Sequence, residues 1–476
     1  MSNRDKLHPI HKFDGKFSEF VNYINSKDRL YEKKIYCDLT SCPLDGAYLV
    51  LSKISDIIIL FHSPEGCSTS LWFLWGGAFS MKSINKHSVK HGAITLTTGL
   101  NESDFIYGAN KKLSLSLQDI DKRYLEKHII VLSSCCTSII GDNIESIILQ
   151  ESNLLTKHIN WLETAGFKSW YWPNGYDMAH HYIVHNIMSN SNNIKNGTKK
   201  IANIIGYGNS ASVDEKEIGR LLNLCDIDVQ YPLETPYTNT QAICEATKAN
   251  INIMMCKTYG IQFCEDMKTK FGIDYICITQ QMGIYQTEKF LREIGDFFNI
   301  KEKVETIIKA EKLAITDELL RIKNILKGKK IAISAGHDKA IALMHIANEL
   351  GMKICYLGLL TYDDLTNEKI TELYNEFNYD FDVKVNPQTY EEIVLLKHLN
   401  PDVYVAPAGL TGNTIKNGIK SLNIHFNDLI GPYFGFIGIV NFGNSIIDVI
   451  NNEIKFSLQT DFNTCFKCDS SMRKEA

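Results

Sequence analysis

Thirteen cysteines stand in the 476-residue sequence. A thiolate is a soft donor, suited to iron–sulfur clusters, zinc or copper(I). A reducing compartment keeps such cysteines as thiols. Their odd total and scattered positions argue against a disulfide framework, there is no Cys/His array with zinc spacing, and the one CxxC pair, Cys465 and Cys468, sits in a polar tail. Metal ligands must therefore come together from distant parts of the chain. Cys67, Cys135 and Cys256 each follow an apolar, β-branched run, which puts them just beyond strands. Cys225, Cys244, Cys264, Cys277 and Cys355 read as small buried hydrophobes.

Ligands of open α/β sheets bind in the crevice outside the carboxyl ends of the strands, so that placement matters. DIIILFHSPEGC, ending at Cys67, and HIIVLSSCCTSIIGD, with Cys135 beside Cys136, each read as strand, loop and helix start. The second half alternates short β-branched runs with helical patterns, the signature of parallel-sheet units. NIIGYG (203–208) reads as a strand, and SVDE (212–215) as a capping box opening a helix through Cys225. INIMM (251–255) predicts a strand, KTYGIQFCEDMKTKFG a helix ending at Gly272, and YICIT a further strand. The polar, helix-favouring stretch 301–326 is expected to bridge two domains and to end at Gly328. KKIAISAG, KICYLGLL, FDVKV and DVYVAPA predict four more strands, with DKAIALMHIANELG a helix capped at Gly351.

At about 150 residues per domain, the length suggests roughly three domains. The patterns divide the chain into an N-terminal extension (1–33), domains over 34–197, 198–325 and 326–460, and a polar tail (461–476), the stretch 189–197 suiting a boundary. Hydrophobic residues make up 44%, charged residues 22%, and the net charge is −5, the balance of a soluble globular protein. No basic excess points to nucleic acid. The first fifteen residues lack a signal-type apolar core and the longest apolar runs are too short for a membrane span, so a cytoplasmic location is expected.

Three segments occur in order: SCPLDGA with Cys42, HSPEGC with Cys67, and SSCCTSIIGDNIES with Cys135 and Cys136, with TGLNESDFIYGANKKL between the last two. Together they resemble component 1 of nitrogenase and its relatives, and the resemblance runs to about Glu453. It implies an α/β fold of three Rossmann-like doubly wound parallel-sheet domains with a cofactor cleft between them. In that family three cysteines hold one half of the P-cluster, an eight-iron, seven-sulfide relay at a subunit interface, and here they correspond to Cys42, Cys67 and Cys135. Cys136 is a spare ligand or a small buried residue. A homologous β-type subunit is then expected to supply the other half, in an α2β2 assembly.

Cys256, in NIMMCKTYGIQFCEDMKTKFGID, matches the cysteine of the catalytic α-type chain that binds the terminal iron of a FeMo-cofactor-like iron–sulfur cofactor. His425, in HFNDLIGPYFGF, matches the histidine on the opposite metal. His180, in YDMAHHYIVHNIM, matches a histidine beside the cofactor that can relay protons, whereas His181 and His185 read as surface or structural histidines. Departures accompany these matches. Tyr176 stands at the cofactor where dinitrogen-reducing enzymes carry a glutamine, and Trp75 replaces an arginine. SAGHDKA offers His337 and Asp338 in place of an arginine loop, and PAGLTGNT offers no cation where a lysine is expected. Fewer cations around an anionic cofactor change its electrostatics, so its heterometal or organic ligand is expected to differ, an all-iron form included.

The resemblance therefore implies a catalytic subunit of an anaerobic nitrogenase-like reductase. An ATP-dependent iron protein would feed it electrons for a small substrate, by methylthio-alkane carbon–sulfur cleavage or dinitrogen reduction. Two alternatives within the family stay open. A cofactor-assembly scaffold retains a cysteine corresponding to Cys256 but generally lacks the histidine ligand, and a tetrapyrrole reductase subunit would need neither.

Overall fold

The computed structural model describes residues 10, 12–26, 42–71, 92–169, 171–189, 191, 199–205, 212–233, 238–277, 280–377, 379–424 and 431–452. Three sheets organise them. Near the N-terminus β1 (Phe13–Lys16) precedes a first group, β2 (Ile57–His62), β3 (Ile94–Thr97), β4 (His128–Ser133) and β5 (His158–Leu162). A second group follows, β6 (Ile201–Ile205), β7 (Asp228–Gln230), β8 (Ile251–Met254) and β9 (Asp274–Cys277). The third comprises β10 (Lys330–Ala335), β11 (Lys353–Leu359), β12 (Asp382–Val385), β13 (Val403–Ala406) and β14 (Ser421–Asn423).

The strand orders are β3-β2-β4-β5, β7-β6-β8-β9 and β1-β12-β11-β10-β13-β14, parallel throughout except that β1 runs antiparallel to β12. In each sheet the order reverses beside the first strand of its group, between β2 and β4, β6 and β8, and β10 and β13. Parallel strands covered by helices on both faces read as continuous apolar runs, as in the fully buried IIILFH of β2. One apolar core runs through the second and third sheets and another through the first and second. Among the described residues no helix is long and apolar enough to cross a membrane.

Two glycines end helices as expected. Gly272 ends the helix Lys257–Phe271 in the left-handed conformation, and Gly351 (φ 73°) follows the helix His337–Glu349. The stretch read as a bridge is a single helix, Lys301–Leu326, packed against the last helix, Gly435–Asn451. Five strands escaped the sequence pattern, β1, β3, β5, β7 and β14, each only three to five residues long. Residues 13–16, read as part of an extension, instead close the edge of the third sheet, where Lys16 pairs with Asp382 at 2.7 Å and Phe17 stacks on Phe381 at 4.5 Å. Of the cysteines read as buried hydrophobes, Cys225 and Cys264 are buried, but Cys244, Cys277 and Cys355 are only half-buried.

The helix His337–Glu349 also carries a pH-sensitive group. Burial, with Lys369 and Lys289 nearby, pushes the His345 imidazole down to about 4. The unfolded chain takes up its proton near pH 6.5 and the folded one only near 4, so folding stability falls as pH drops through that window, by about 2 kcal/mol at pH 5. His345→Leu is expected to flatten this slope, seen as a smaller loss of thermal-unfolding midpoint between pH 7 and pH 5 than in the wild type.

Candidate functional site

Four cysteines open helices beyond these sheets. Cys42 is the N-cap of Pro43–Leu51, Cys67 lies in the first turn of Glu65–Leu71 after β2, and Cys135 starts Cys135–Ile140 after β4. Cys256, the N-cap of Lys257–Phe271, follows β8. Unpaired N–H groups and the positive end of the helix dipole favour a thiolate there. Cys67 and Cys135 flank the reversal between β2 and β4, and Cys256 stands at the one between β6 and β8. Both are crevices where α/β sheets bind ligands.

Cys42, Cys67, Cys135 and Cys136 form one group. Burial pushes the Cys42 thiol up, and the Asp45 and Leu44 N–H groups pull against it. Cys67 is raised by burial first and then by the neighbouring sulfurs of Cys136, Cys42 and Cys135. Cys136, half-buried, thus lies beside Cys67 within the group. The Gly166 N–H donates to Cys135 Sγ at 3.2 Å, and a Cβ on Gly166 would stand 3.1 Å from Cys42 Cβ. A side chain at 166 would crowd Cys42, which glycine avoids. Among the described residues the single trio of His, Cys, Asp or Glu donors within 4.8 Å of one another lies elsewhere. Soft donors at helix starts, with a backbone N–H on sulfur, suit a multi-iron cluster.

A buried pair fixes the two strand ends that carry this group. His62 Nε2 lies 3.3 Å from Asp142 Oδ2 with both side chains enclosed, and Ser134 Oγ donates to the His62 carbonyl at 3.0 Å. Asp142 Oδ1 accepts from the Ala109 N–H at 2.9 Å, and the His62 ring is held below its usual pKa by burial, against the pull of Asp142. The histidine opening HSPEGC and the aspartate of IGD therefore meet across the crevice. Two exposed apolar side chains adjoin the group, Ile139 on the helix that Cys135 starts and Phe167 next to Gly166.

At the second crevice Cys256 is 4% exposed and its Sγ donates to Asp338 Oδ2 at 3.2 Å. The same oxygen accepts the Lys257 N–H at 2.7 Å and the Thr258 N–H at 3.4 Å. Asp338, just beyond β10, thus caps a helix belonging to another sheet and sits on the sulfur. Burial, then the charge and hydrogen bond of Asp338, push the thiol well above its usual pKa. Burial pushes the Asp338 carboxyl up as well, but His337, Lys369, the Cys256 thiol and Lys257 outweigh it and hold the carboxyl below its usual range. His337 contacts Thr258 Oγ1 through Nε2 and Thr366 Oγ1 through Nδ1 at 3.1 Å.

The loss of cations read from SAGHDKA is partly made good. Lys339 lies within electrostatic reach of Cys256 and Asp214, its ammonium 5.1 Å over the Phe434 ring, and Lys257 and Lys369 act on Asp338. Nothing in the sequence distinguished Lys339 from a solvated lysine.

Tyr176 and His180 lie on Pro173–Tyr182, which packs against the helix that Cys256 opens. The Tyr176 ring sits 4.7 Å from Tyr259, three residues past Cys256, and 5.2 Å from Trp172. His180 is buried edge-on against Phe263 at 5.7 Å, about 10 Å along the helix axis from Cys256. Helices Pro43–Leu51 and Pro173–Tyr182 touch backbone to backbone. A Cβ on Gly175 would overlap the Pro43 carbonyl and stand 2.6 Å from Ala47 N, while one on Gly46 would meet the Trp172 carbonyl. Of the residues expected at the site, the structure gathers Cys42, Cys67 and Cys135 in one crevice, and Cys256 and Tyr176 in another with His180 two turns away. His425 and Trp75 lie outside the described residues.

The chain is similar to known proteins. The chain is 27% identical over 409 residues to the nitrogenase iron-molybdenum cofactor biosynthesis protein NifE of Methanococcus maripaludis, covering 85% of this chain and 82% of that protein. It is 24% identical over 454 residues to the nitrogenase molybdenum-iron protein alpha chain of Clostridium pasteurianum, covering 84% of each. A solved structure of nitrogenase Cp1 at pH 5 superposes with a TM-score of 0.73 at 23% identity, over 89% of this chain and 90% of that one, a likeness of fold. The profile of the nitrogenase component 1 type oxidoreductases matches residues 42–451, from Cys42 through the helix Gly435–Asn451. The chain belongs to the nitrogenase component 1 type oxidoreductase family.

Proposed function

We propose that the chain is a cofactor-assembly scaffold, which carries an iron–sulfur cofactor as cargo on Cys256 and passes it on. The observation that carries this reading is the carboxylate on the sulfur: Asp338 Oδ2 lies 3.2 Å from Cys256 Sγ. A thiolate formed there faces a negative charge in a dry crevice, so the protonated thiol is favoured and the grip on iron is weakened. A permanent catalytic cofactor needs the opposite, a thiolate stabilised for good. Lys257, Lys339 and Lys369 lie where they would favour an anionic cargo, against the burial that lowers the pKa of Lys339 and Lys369. The likeness to the NifE protein of Methanococcus maripaludis, whose name assigns it to iron-molybdenum cofactor biosynthesis, supports the same reading.

The group at Cys42, Cys67 and Cys135 would hold part of an iron–sulfur cluster completed by a homologous partner subunit. Such a cluster supplies one-electron transfer when bound. The exposed Ile139 and Phe167 beside the group are the apolar surface such a partner would cover. One observation favours the reductase reading instead: His180 is a buried imidazole on the helix that faces Cys256, placed where a proton relay could act. Assayed with the partner subunit, an iron protein and ATP, the protein is expected to deliver cargo to a cofactor-free acceptor chain and to reduce neither dinitrogen nor methylthio-alkanes. Sustained turnover of either substrate would establish the reductase.

Asp338→Asn keeps an acceptor for the Lys257 N–H but removes the charge. It is expected to hold cargo more firmly and slow transfer about tenfold, the effect of making the thiolate ~1.4 kcal/mol more accessible. Faster release from this variant would overturn the role given to Asp338.

A further inference from the structure

We propose that His181, His185 and Asp266 form a binding site for one divalent transition-metal ion, separate from the cargo crevice. One donor atom from each lies within 4.8 Å of the others. His181 Nδ1 is 3.0 Å from Asp266 Oδ2, His185 Nε2 is 3.6 Å from Asp266 Oδ1, and the two imidazole centroids are 4.2 Å apart. Metal–donor bonds of about 2.0–2.2 Å arranged tetrahedrally put neighbouring donors about 3.3–3.5 Å apart. The His185 separation is close to that edge, and the His181 separation, to the other carboxylate oxygen, is a hydrogen-bond distance that opens by a few tenths of an ångström when an ion enters. Two imidazoles and one carboxylate, open to solvent on one side, are a donor set for zinc or ferrous-type ions with room for water.

The surrounding backbone is shaped to make the site. The helix Pro173–Tyr182 continues as a π-helical turn, Ile183–Ile187, which sets the azimuth of His185 relative to His181. Such turns are rare, leave backbone groups poorly paired and recur at functional sites. Here the Lys270 ammonium takes the Val184 carbonyl at 2.8 Å, from one turn beyond Asp266 on the facing helix. Gln262 donates to Asp266 Oδ1 at 3.0 Å, an outer hydrogen bond of the kind that orients a ligating carboxylate. A simple surface hydrogen bond between one histidine and the aspartate would need neither the second imidazole nor the π turn.

The position gives the ion a structural role. Asp266 lies ten residues from Cys256 on one helix, about 15 Å away along its axis, and His181 adjoins His180 on the other. A bound ion would staple the two helices whose upper turns carry Tyr176, His180 and Cys256.

The test uses the full-length protein freed of loosely bound metal with a chelator, and Co2+ as the probe. The wild type is expected to bind one more Co2+ than the His181→Ala/His185→Ala variant, to show visible ligand-field bands without thiolate charge transfer, to lose them to competing Zn2+, and to unfold at a higher temperature when the ion is present. Asp266→Asn should weaken this binding at least about tenfold. Both histidines are exposed, so the double variant should fold, checked by circular dichroism, and His185→Gln serves as a gentler second variant. Equal Co2+ stoichiometry and identical spectra in wild type and variants would overturn the proposal. Neither readout depends on cargo at Cys256, so failure here is distinguishable from failure of the scaffold reading.

Discussion

Cys256→Ala should empty the cargo crevice while leaving iron at Cys42, Cys67 and Cys135 in place. The thiol is 4% exposed and caps the helix that opens at its crevice. Removing it leaves Asp338 still accepting from the Lys257 and Thr258 N–H groups, so the helix keeps its cap and the fold loses about 1 kcal/mol, the worth of one hydrogen bond. Iron counting on protein purified without oxygen, with electron paramagnetic resonance, separates the two groups. The expected result is complete loss of cofactor iron and an unchanged cluster at the interface group. Loss of both would refute the division of labour between the crevices, and retention of both would remove Cys256 from the site.

The second large effect is steric. Gly175→Ala places a methyl group against the Pro43 carbonyl and 2.6 Å from Ala47 N, in a seam where both sides are backbone and cannot rotate away. The helices must separate, and overpacking of this kind costs about 3 kcal/mol. The cost falls on function as well, because one helix starts at Cys42 and the other carries Tyr176 and His180. The variant is expected to melt several degrees lower and to lose iron from the interface group, although no ligand has changed. Wild-type melting with full iron content would show that the seam yields more easily than its geometry implies.

Much of the scaffold of both sites was legible in the amino-acid order. Apolar, β-branched runs precede Cys67, Cys135 and Cys256, and a cysteine shortly beyond the carboxyl end of a strand lies at a crevice where the strand order reverses. The segment SCPLDGA carried Gly46 in plain view, but its reason, contact with the Trp172 carbonyl, belongs to tertiary packing. The groups that tune the sites were not legible. Asp338 is 82 positions from Cys256, Asp266 is 85 from His181, and Gly166 is 31 from Cys135. No local pattern marks such residues, since each works only after two separate helices or loops have docked. Asp338 read as the absence of an arginine, whereas folded it is the group closest to the sulfur's chemistry. Lys339, one position on, restores a cation that the sequence appeared to lack only because orientation on a helix start is invisible in a string of letters.

The placement of β1 at the far edge of the third sheet has a consequence for how the protein is made. Its partner strand begins 366 residues after the position it pairs with, Lys16 against Asp382. At 5–20 residues per second a ribosome needs roughly 20 to 70 s to cover that distance. During that interval residues 13–25 have no sheet to join, and Phe17 and Phe20, fully buried once folded, wait unpaired. The N-terminal segment is therefore first to be synthesised and among the last to dock, and while it waits the edge of β12, once formed, is open to any other chain that offers it a strand.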